Sequence, residues 1–199
     1  MADDRAHIQE FFGARAAHWD TRFPHDGPAF ADGVAALGLL PGNAVLDAGC
    51  GTGRALHLLR EAVGPDGTVI GVDLTPQMLA AANDAGRGGP GTLLLADVAR
   101  LPLRAESLDA VFAAGLIGHL SRPEADLREL ARVVRPGGRL ALFHPLGRAA
   151  LAARQGRELS DDDLRAEPRL TRLLTASGWR LLSYVDEEER FLALAVRRD

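Results

Sequence analysis

The chain contains no lysine. All 23 basic residues are arginine, so no side chain can form a Schiff base with a carbonyl or act as the phosphate-holding lysine of a Walker motif. Pyridoxal enzymes, lysine-dependent aldolases and P-loop nucleotide hydrolases are disfavoured by that one absence. Cysteine is almost missing as well. Cys50 is the single thiol, which excludes an intramolecular disulfide and any cysteine-based metal cluster and suits a reducing compartment. In the glycine-rich stretch where it lies, Cys50 reads as a small apolar filler. No apolar run approaches the ~18 residues a membrane span needs, and the polar, acidic start Met1-Ala2-Asp3-Asp4-Arg5 is unlike a secretory leader. A cytoplasmic protein with no membrane partner is expected. Excess positive charge is lacking too. With 23 basic against 27 acidic residues the net charge is −4 and the pI near 5.9, whereas nucleic-acid binders usually carry a basic face, so no nucleic-acid partner is expected. The arginine and alanine excess suggests a GC-rich, bacterial genome.

What is present describes one globular domain. A chain of 199 residues, 47% hydrophobic and 25% charged, is long enough to bury about 70% of the surface its unfolded form exposes. From residue 44 to 145, strand and helix patterns alternate, which implies βαβ units and a parallel sheet. Strands are expected near 44–48, 68–73, 92–96, 108–114 and 139–144, and helices near 53–63, 76–86 and 123–134. Thr75 is a candidate N-cap with Pro76 in the first turn, and Ser121-Arg122-Pro123-Glu124 has the form of a capping box. Beyond a loop over 146–163, residues 164–177 read as a helix. Residues 179–185 and 191–197 read as two strands around the acidic turn 186–189. The run Asp161-Asp162-Asp163 reads as charge favouring a helix N-terminus rather than as a metal site.

The most informative stretch is Val45-Leu46-Asp47-Ala48-Gly49-Cys50-Gly51-Thr52-Gly53. A buried strand runs into a G-x-G-x-G turn that opens a helix. Such a turn lets a ligand approach the backbone and offers unpaired N–H groups to an anion. Position 54, where a nicotinamide-binding fingerprint would place its third glycine, is Arg54. Further strands end at Asp73, at Asp97 and before Gly115, and Arg135-Pro136-Gly137-Gly138-Arg139 turns into the next. In open parallel sheets, ligands bind beyond the carboxyl ends of the strands where strand order reverses. Asp47, Gly49, Asp73, Asp97 and Gly115 all fall at such ends.

With V-L-D-A-G-C-G-T-G followed by V-I-G-V-D-L-T-P-Q-M-L, A-D-V-A-R-L-P-L and L-A-R-V-V-R-P-G-G-R-L, the chain resembles the class I S-adenosylmethionine-dependent methyltransferases. It is nearest the small-molecule branch that includes the quinone-biosynthesis C-methyltransferases. The resemblance covers roughly residues 8–145. It implies a Rossmann-like three-layer α/β sandwich whose seven-stranded sheet has the order 3-2-1-4-5-7-6, with strand 7 antiparallel. The whole chain, 1–199, is then one domain: an N-terminal helical lid over 1–40, a cofactor-binding core over 41–145, and a C-terminal helix and hairpin over 146–199.

The resemblance also implies roles. S-adenosylmethionine would be the cofactor and S-adenosylhomocysteine its product. Gly49 and Gly51 would let the methionine portion lie against the backbone, with Asp47 bracing the loop. Asp73 would accept both ribose hydroxyls. Leu74 and Met78 would sandwich adenine, and Asp97 would accept from its amino group beside the Val98 backbone. Ala114 and Gly115 would leave room for the sulfonium arm. Trp19, in Trp19-Asp20 where this branch often carries an aromatic residue before Asp, would cover the cofactor. The stripe Ile8, Phe11, Phe12, Ala16 and Trp19 is either simple packing or that lid, with Pro24, Gly27 and Pro28 marking its pivot.

Methyl transfer needs a general base only if the acceptor must lose a proton. Two histidines are candidates: His144 after the fifth strand, and His119 after the fourth. His7, His18, His25 and His57 read as surface or lid residues. After the fourth strand Ala113-Ala114-Gly115-Leu116 lacks the Asn/Asp-Pro-Pro-aromatic motif of amino-group nucleic-acid methylators. Neither a paired-glutamate arginine methylator nor a metal-dependent catechol methylator is matched, and no metal is expected. The remaining acceptor is a small organic molecule, methylated at oxygen, nitrogen or carbon. The rival readings are a catalytically silent cofactor-binding regulator and a nicotinamide oxidoreductase.

Overall fold

The computed structural model describes residues 2–22, 26–89 and 93–199. Its centre is a seven-stranded sheet in the order β3-β2-β1-β4-β5-β7-β6. β1 (Ala44–Ala48), β2 (Thr68–Asp73), β3 (Leu93–Leu95), β4 (Leu108–Ala114) and β5 (Val134–His144) run parallel. β7 (Arg190–Arg197) is antiparallel to both β5 and β6 (Trp179–Glu187). This is the expected Rossmann-like order with strand 7 reversed.

Alternation along the strands builds the three layers. Leu46, Val111, Ala113, Leu140 and Leu142 face one way and pack under α5 (Pro123–Val133) and α7 (Glu167–Ala176) through Leu127, Leu130, Leu170 and Leu174. Val45, Ala110, Phe112, Ala141 and Phe143 face the other way. They pack on α2 (Gly27–Ala36) and α3 (Leu56–Val63) through Phe30, Val34, Leu56 and Leu59. Trp179 is fully buried in the first layer, and its indole N–H donates to the Leu127 carbonyl at 3.0 Å.

Several local expectations change. The helix expected from residue 53 begins at Leu56, because residues 51–55 form a turn. β5 starts at Val134 rather than near 139, and Arg135 to Gly138 bulge out between the Leu108–Val134 and Ala110–Arg139 pairs. Thr75 is the N-cap of α4 (Pro76–Asp84) but makes no side-chain cap; Asp73 Oδ1 accepts its N–H instead. The Ser121–Glu124 box does not form. Arg122 is the N-cap of α5, and Asp126 Oδ2 accepts its N–H at 3.1 Å. The 146–163 loop contains α6 (Arg148–Arg154), anchored by the buried Arg148 guanidinium on the Ser160 carbonyl and near Asp163 and Asp186. Asp162 and Asp163 pair with Arg169 and Arg165, so this acid run is tied up in ion pairs.

The expected 1–40 lid divides in two. Phe30 sits 5.0 Å from the Phe143 ring, and Val34 and Leu37 are buried with it, so α2 belongs to the packed layer. Only α1 (Ala2–Gly13) and the 3₁₀ turns at 16–18 and 20–22 lie outside it. Pro24, His25 and Thr92 fall outside the described residues.

Candidate functional site

β1 pairs with β2 on one side and β4 on the other, so the strand order reverses there. A cavity opens at the carboxyl ends of these strands. The turn after β1 forms its floor. Gly49 and Gly51 have φ of 69° and 54°, a region that costs a side chain about 1–2 kcal/mol. A Cβ on Gly51 would meet nothing nearer than the Met78 sulfur at 4.0 Å, so the bare backbone faces open space.

Three carboxylates from successive strand ends line the same cavity. Asp47 is 1% exposed, and neither of its oxygens has a hydrogen-bond partner among the described residues. Burial, reinforced by the Asp73 charge, pushes its pKa up to about 8. Asp73 Oδ2 accepts the Gly51 N–H and Oδ1 the Thr75 N–H, both at 2.8 Å. Burial still holds its pKa above the ordinary carboxylate value. Asp97 Oδ1 accepts the Ala99 N–H at 2.8 Å, and Oδ2 pairs with the Arg5 guanidinium at 2.6 Å. Leu74, Met78, Val98 and Ala114 complete this wall.

The N-terminal segment closes the other side. Ile8, Phe12 and Trp19 line the cavity, and Phe12 stands edge-on to both Trp19 and His119, with ring centroids 5.5 and 5.0 Å away. Polar ties hold the segment down. Gln9 Nε2 donates to the Leu74 carbonyl at 2.8 Å, and Asp20 accepts from Thr52 at 2.6 Å and from Arg87 at 2.5 Å.

The two histidines part company. His119 lines the cavity, and desolvation of its imidazole there, reinforced by the Arg165 charge, lowers its pKa. His144 does not line the cavity, and nor does Gly115, whose Cβ would meet His144 Cδ2 at 4.0 Å. His144 Nδ1 lies 3.0 Å from both the N–H and the carbonyl oxygen of Leu146, so the ring is held by that one residue. Burial lowers its pKa to about 4. Cys50 also lines the cavity, but burial and the Asp47 and Asp73 charges push its thiol pKa up, so it stays protonated. Among the described residues no group of three or more His, Cys, Asp or Glu could hold a metal ion, and no helix is long and apolar enough to cross a membrane.

Residues 46–142 match the family described as a methyltransferase domain. This segment is a methyltransferase domain of the class I S-adenosylmethionine-dependent kind. The chain is 36% identical over 110 residues to the ubiquinone/menaquinone biosynthesis C-methyltransferase UbiE of Ectopseudomonas mendocina, a match covering 53% of this chain and 43% of that one. It is 35% identical over 140 residues to the tRNA (carboxymethyluridine(34)-5-O)-methyltransferase of Arabidopsis thaliana, covering 68% of this chain and 31% of that one. A SAM-dependent methyltransferase from Aquifex aeolicus superposes with a TM-score of 0.64 at 27% identity, covering 82% of this chain and 86% of that one. The matched segments span between 27% and 43% of the length of the curated relatives.

This family's cofactor, S-adenosylmethionine, fits the residues present. Its ammonium and sulfonium charges match the orphaned Asp47 carboxylate, and its methionine arm matches the open face of Gly51. Among the neighbours that a family resemblance alone did not supply are Arg5, Thr52, Phe30 and Asp126, all of which line the cavity. Thr52 lay inside the glycine motif and was readable there. Arg5, Phe30 and Asp126 arrive through tertiary packing and carry no local signal.

Proposed function

We propose that the protein transfers a methyl group from S-adenosylmethionine to a small organic acceptor. The observation that carries this reading is the convergence of Asp47, Asp73 and Asp97 on one cavity behind an open glycine turn. Asp47 holds the cationic arm. Asp73 takes the ribose hydroxyls, and Leu74 and Met78 flank the base. When bound, the sulfonium supplies an activated methyl group to an in-line nucleophile. The chain's part is to position the acceptor and exclude water. Phe12, Trp19 and His119 form the apolar, aromatic side where the acceptor sits, which suits a small and largely apolar molecule. His119, kept neutral by its lowered pKa, takes the acceptor's proton when the acceptor must lose one. His144, with its ring outside the cavity and its Nδ1 against the Leu146 backbone, is a structural residue at the end of β5.

A net charge of −4 favours a small acceptor over a polyanion. The relative named for tRNA makes RNA the outcome to check against. The deciding experiment incubates the protein with methyl-labelled donor and either metabolite fractions or bulk tRNA. Label entering a small organic product supports the reading. Label entering only tRNA overturns the acceptor class. Binding of S-adenosylhomocysteine with no transfer to any fraction favours a silent regulatory module.

A further inference from the structure

At the Asp97 end of the cavity stands a second carboxylate, Asp126, contributed by the first turn of α5. It is 4% exposed, and its two oxygens differ sharply. Oδ2 accepts the Arg122 N–H at 3.1 Å and so closes the helix start. Oδ1 is buried and has no hydrogen-bond partner among the described residues. A buried acceptor left unmatched costs on the order of 1–3 kcal/mol, so it calls for a donor from a ligand. Asp97 is differently placed. Both its oxygens are engaged, one by the Ala99 N–H and the other by Arg5. The two aspartates lie near enough that the Asp97 charge works against ionisation of Asp126, alongside burial. Arg5 and Arg122 offset part of that field but donate nothing to Oδ1.

We propose that Asp126 is a specificity-determining residue of the nucleoside subsite: its Oδ1 accepts a hydrogen from the exocyclic amino group of the bound base and so selects a 6-amino purine over a 6-oxo purine. The inference rests on the proposed cofactor reading and adds to it a residue from a helix that the strand-end motifs do not contain. A 6-amino group carries two hydrogens, so it can serve Asp97 and Asp126 together. A 6-oxo group has no exocyclic hydrogen for either aspartate and sets an acceptor against them, so it is disfavoured.

The test compares S-adenosylhomocysteine with S-inosylhomocysteine by titration calorimetry, on the full chain and on Asp126→Asn. The carboxamide keeps an oxygen for the Arg122 N–H and puts an NH₂ where Oδ1 was, turning an acceptor into a donor at one point of the cavity. The wild type is expected to prefer the adenosyl ligand by about tenfold to a hundredfold, the range for one lost or mismatched charge-assisted bond. In Asp126→Asn that preference should shrink by about tenfold or more, with S-inosylhomocysteine binding as tightly as before or tighter. A role confined to capping α5 would lower both affinities alike, or melt the protein earlier without changing their ratio, and either result overturns the proposal. A ratio that collapses in Asp97→Asn and stays intact in Asp126→Asn overturns it as well. If the wild type binds neither ligand, the cofactor reading itself falls, and this inference with it.

Discussion

Asp73 Oδ2 accepts the Gly51 N–H at 2.8 Å, so the carboxylate that ends β2 holds the glycine turn that follows β1. Its other oxygen starts α4 by accepting the Thr75 N–H. One side chain thus shapes the floor of the cavity and the start of the helix beside it. Asp97 makes one comparable backbone contact, to Ala99, on a single oxygen.

This asymmetry predicts unequal losses. Asp73→Ala should weaken S-adenosylhomocysteine binding by about 30- to 1,000-fold, or about 2–4 kcal/mol, and should also lower the thermal midpoint. Asp97→Ala should weaken it less. Titration calorimetry on folded variants decides the matter, and equal losses at the two positions would reject the ribose assignment for Asp73.

Asp47 makes a prediction about pH. Its pKa is about 8 in the folded protein, against 3.8 as the ordinary value. A carboxyl with a raised folded pKa keeps its proton longer in the folded than in the unfolded chain, so the folded state binds more protons between those values. Stability contributed by this group is therefore greatest below about pH 4 and is lost as the pH rises toward about 8. Asp47→Asn removes the titration. The variant should gain in thermal midpoint over the wild type from pH 5 to pH 8, while binding S-adenosylmethionine more weakly. A constant gap between the two melting curves across that range contradicts the burial of an unpartnered acid.

His144 runs the other way. Its pKa is lowered to about 4 by burial, so the unfolded chain binds more protons between about pH 6.5 and 4, and His144 costs stability as the pH falls through that window. His144→Gln should make the protein more acid-resistant and leave turnover within about threefold at pH 7, because the ring does not line the cavity. Turnover falling a hundredfold in a folded His144→Gln protein would restore His144 as the proton acceptor.

Much of this architecture was legible in the sequence because its signals are local. β1, β4 and β5 each bury both faces, so Val45-Leu46, Ala110-Val111-Phe112 and Leu140-Ala141-Leu142 read as short apolar runs, and each ends at a residue suited to a turn or a ligand. The misses are non-local. α6 has only seven residues and no side-chain cap; it is held by Arg148 reaching Ser160 and Asp186, contacts that no window of sequence shows. The Pro136-Gly137-Gly138 turn read as a break before the fifth strand, whereas Leu108 pairs with Val134 and extends β5 behind it. α2 was grouped with the lid because it precedes the sheet, yet Phe30 fills a place among Phe112 and Phe143. Asp126 carries no local signal, and only the packing of α5 brings it to the cavity.

The metal expectation is testable directly. Transfer should survive excess EDTA, because positioning rather than Lewis-acid activation is assigned to the chain. Loss of turnover on chelation, restored by magnesium, would contradict that mechanism.

The last prediction concerns the cover. Residues 5–20 meet the cavity wall at four polar contacts: Arg5 on Asp97, Gln9 on the Leu74 carbonyl, and Thr52 and Arg87 on Asp20. Each is exposed or half-buried, so none is strong alone, and such a segment can open and close. Deletion of residues 1–22 should leave a cooperatively folding domain, since α2 with Phe30 stays in the core. Deletion through residue 30 removes that ring and should cost stability as well. The shorter deletion should weaken cofactor binding and abolish transfer, because an open site stays wet and unpositioned. Asp20→Ala, which releases Thr52 and Arg87 together, should reproduce part of the loss. Trp19 reports closure by its fluorescence. That signal is best taken as the difference between the wild type and Trp19→Phe, because Trp179 is a fully buried core residue bonded to Leu127 and replacing it perturbs the fold. Cofactor should shift the Trp19 emission in the wild type and leave Trp19→Phe unchanged. A folded 1–22 deletion that binds S-adenosylhomocysteine with undiminished affinity would show that these residues merely pack on the domain.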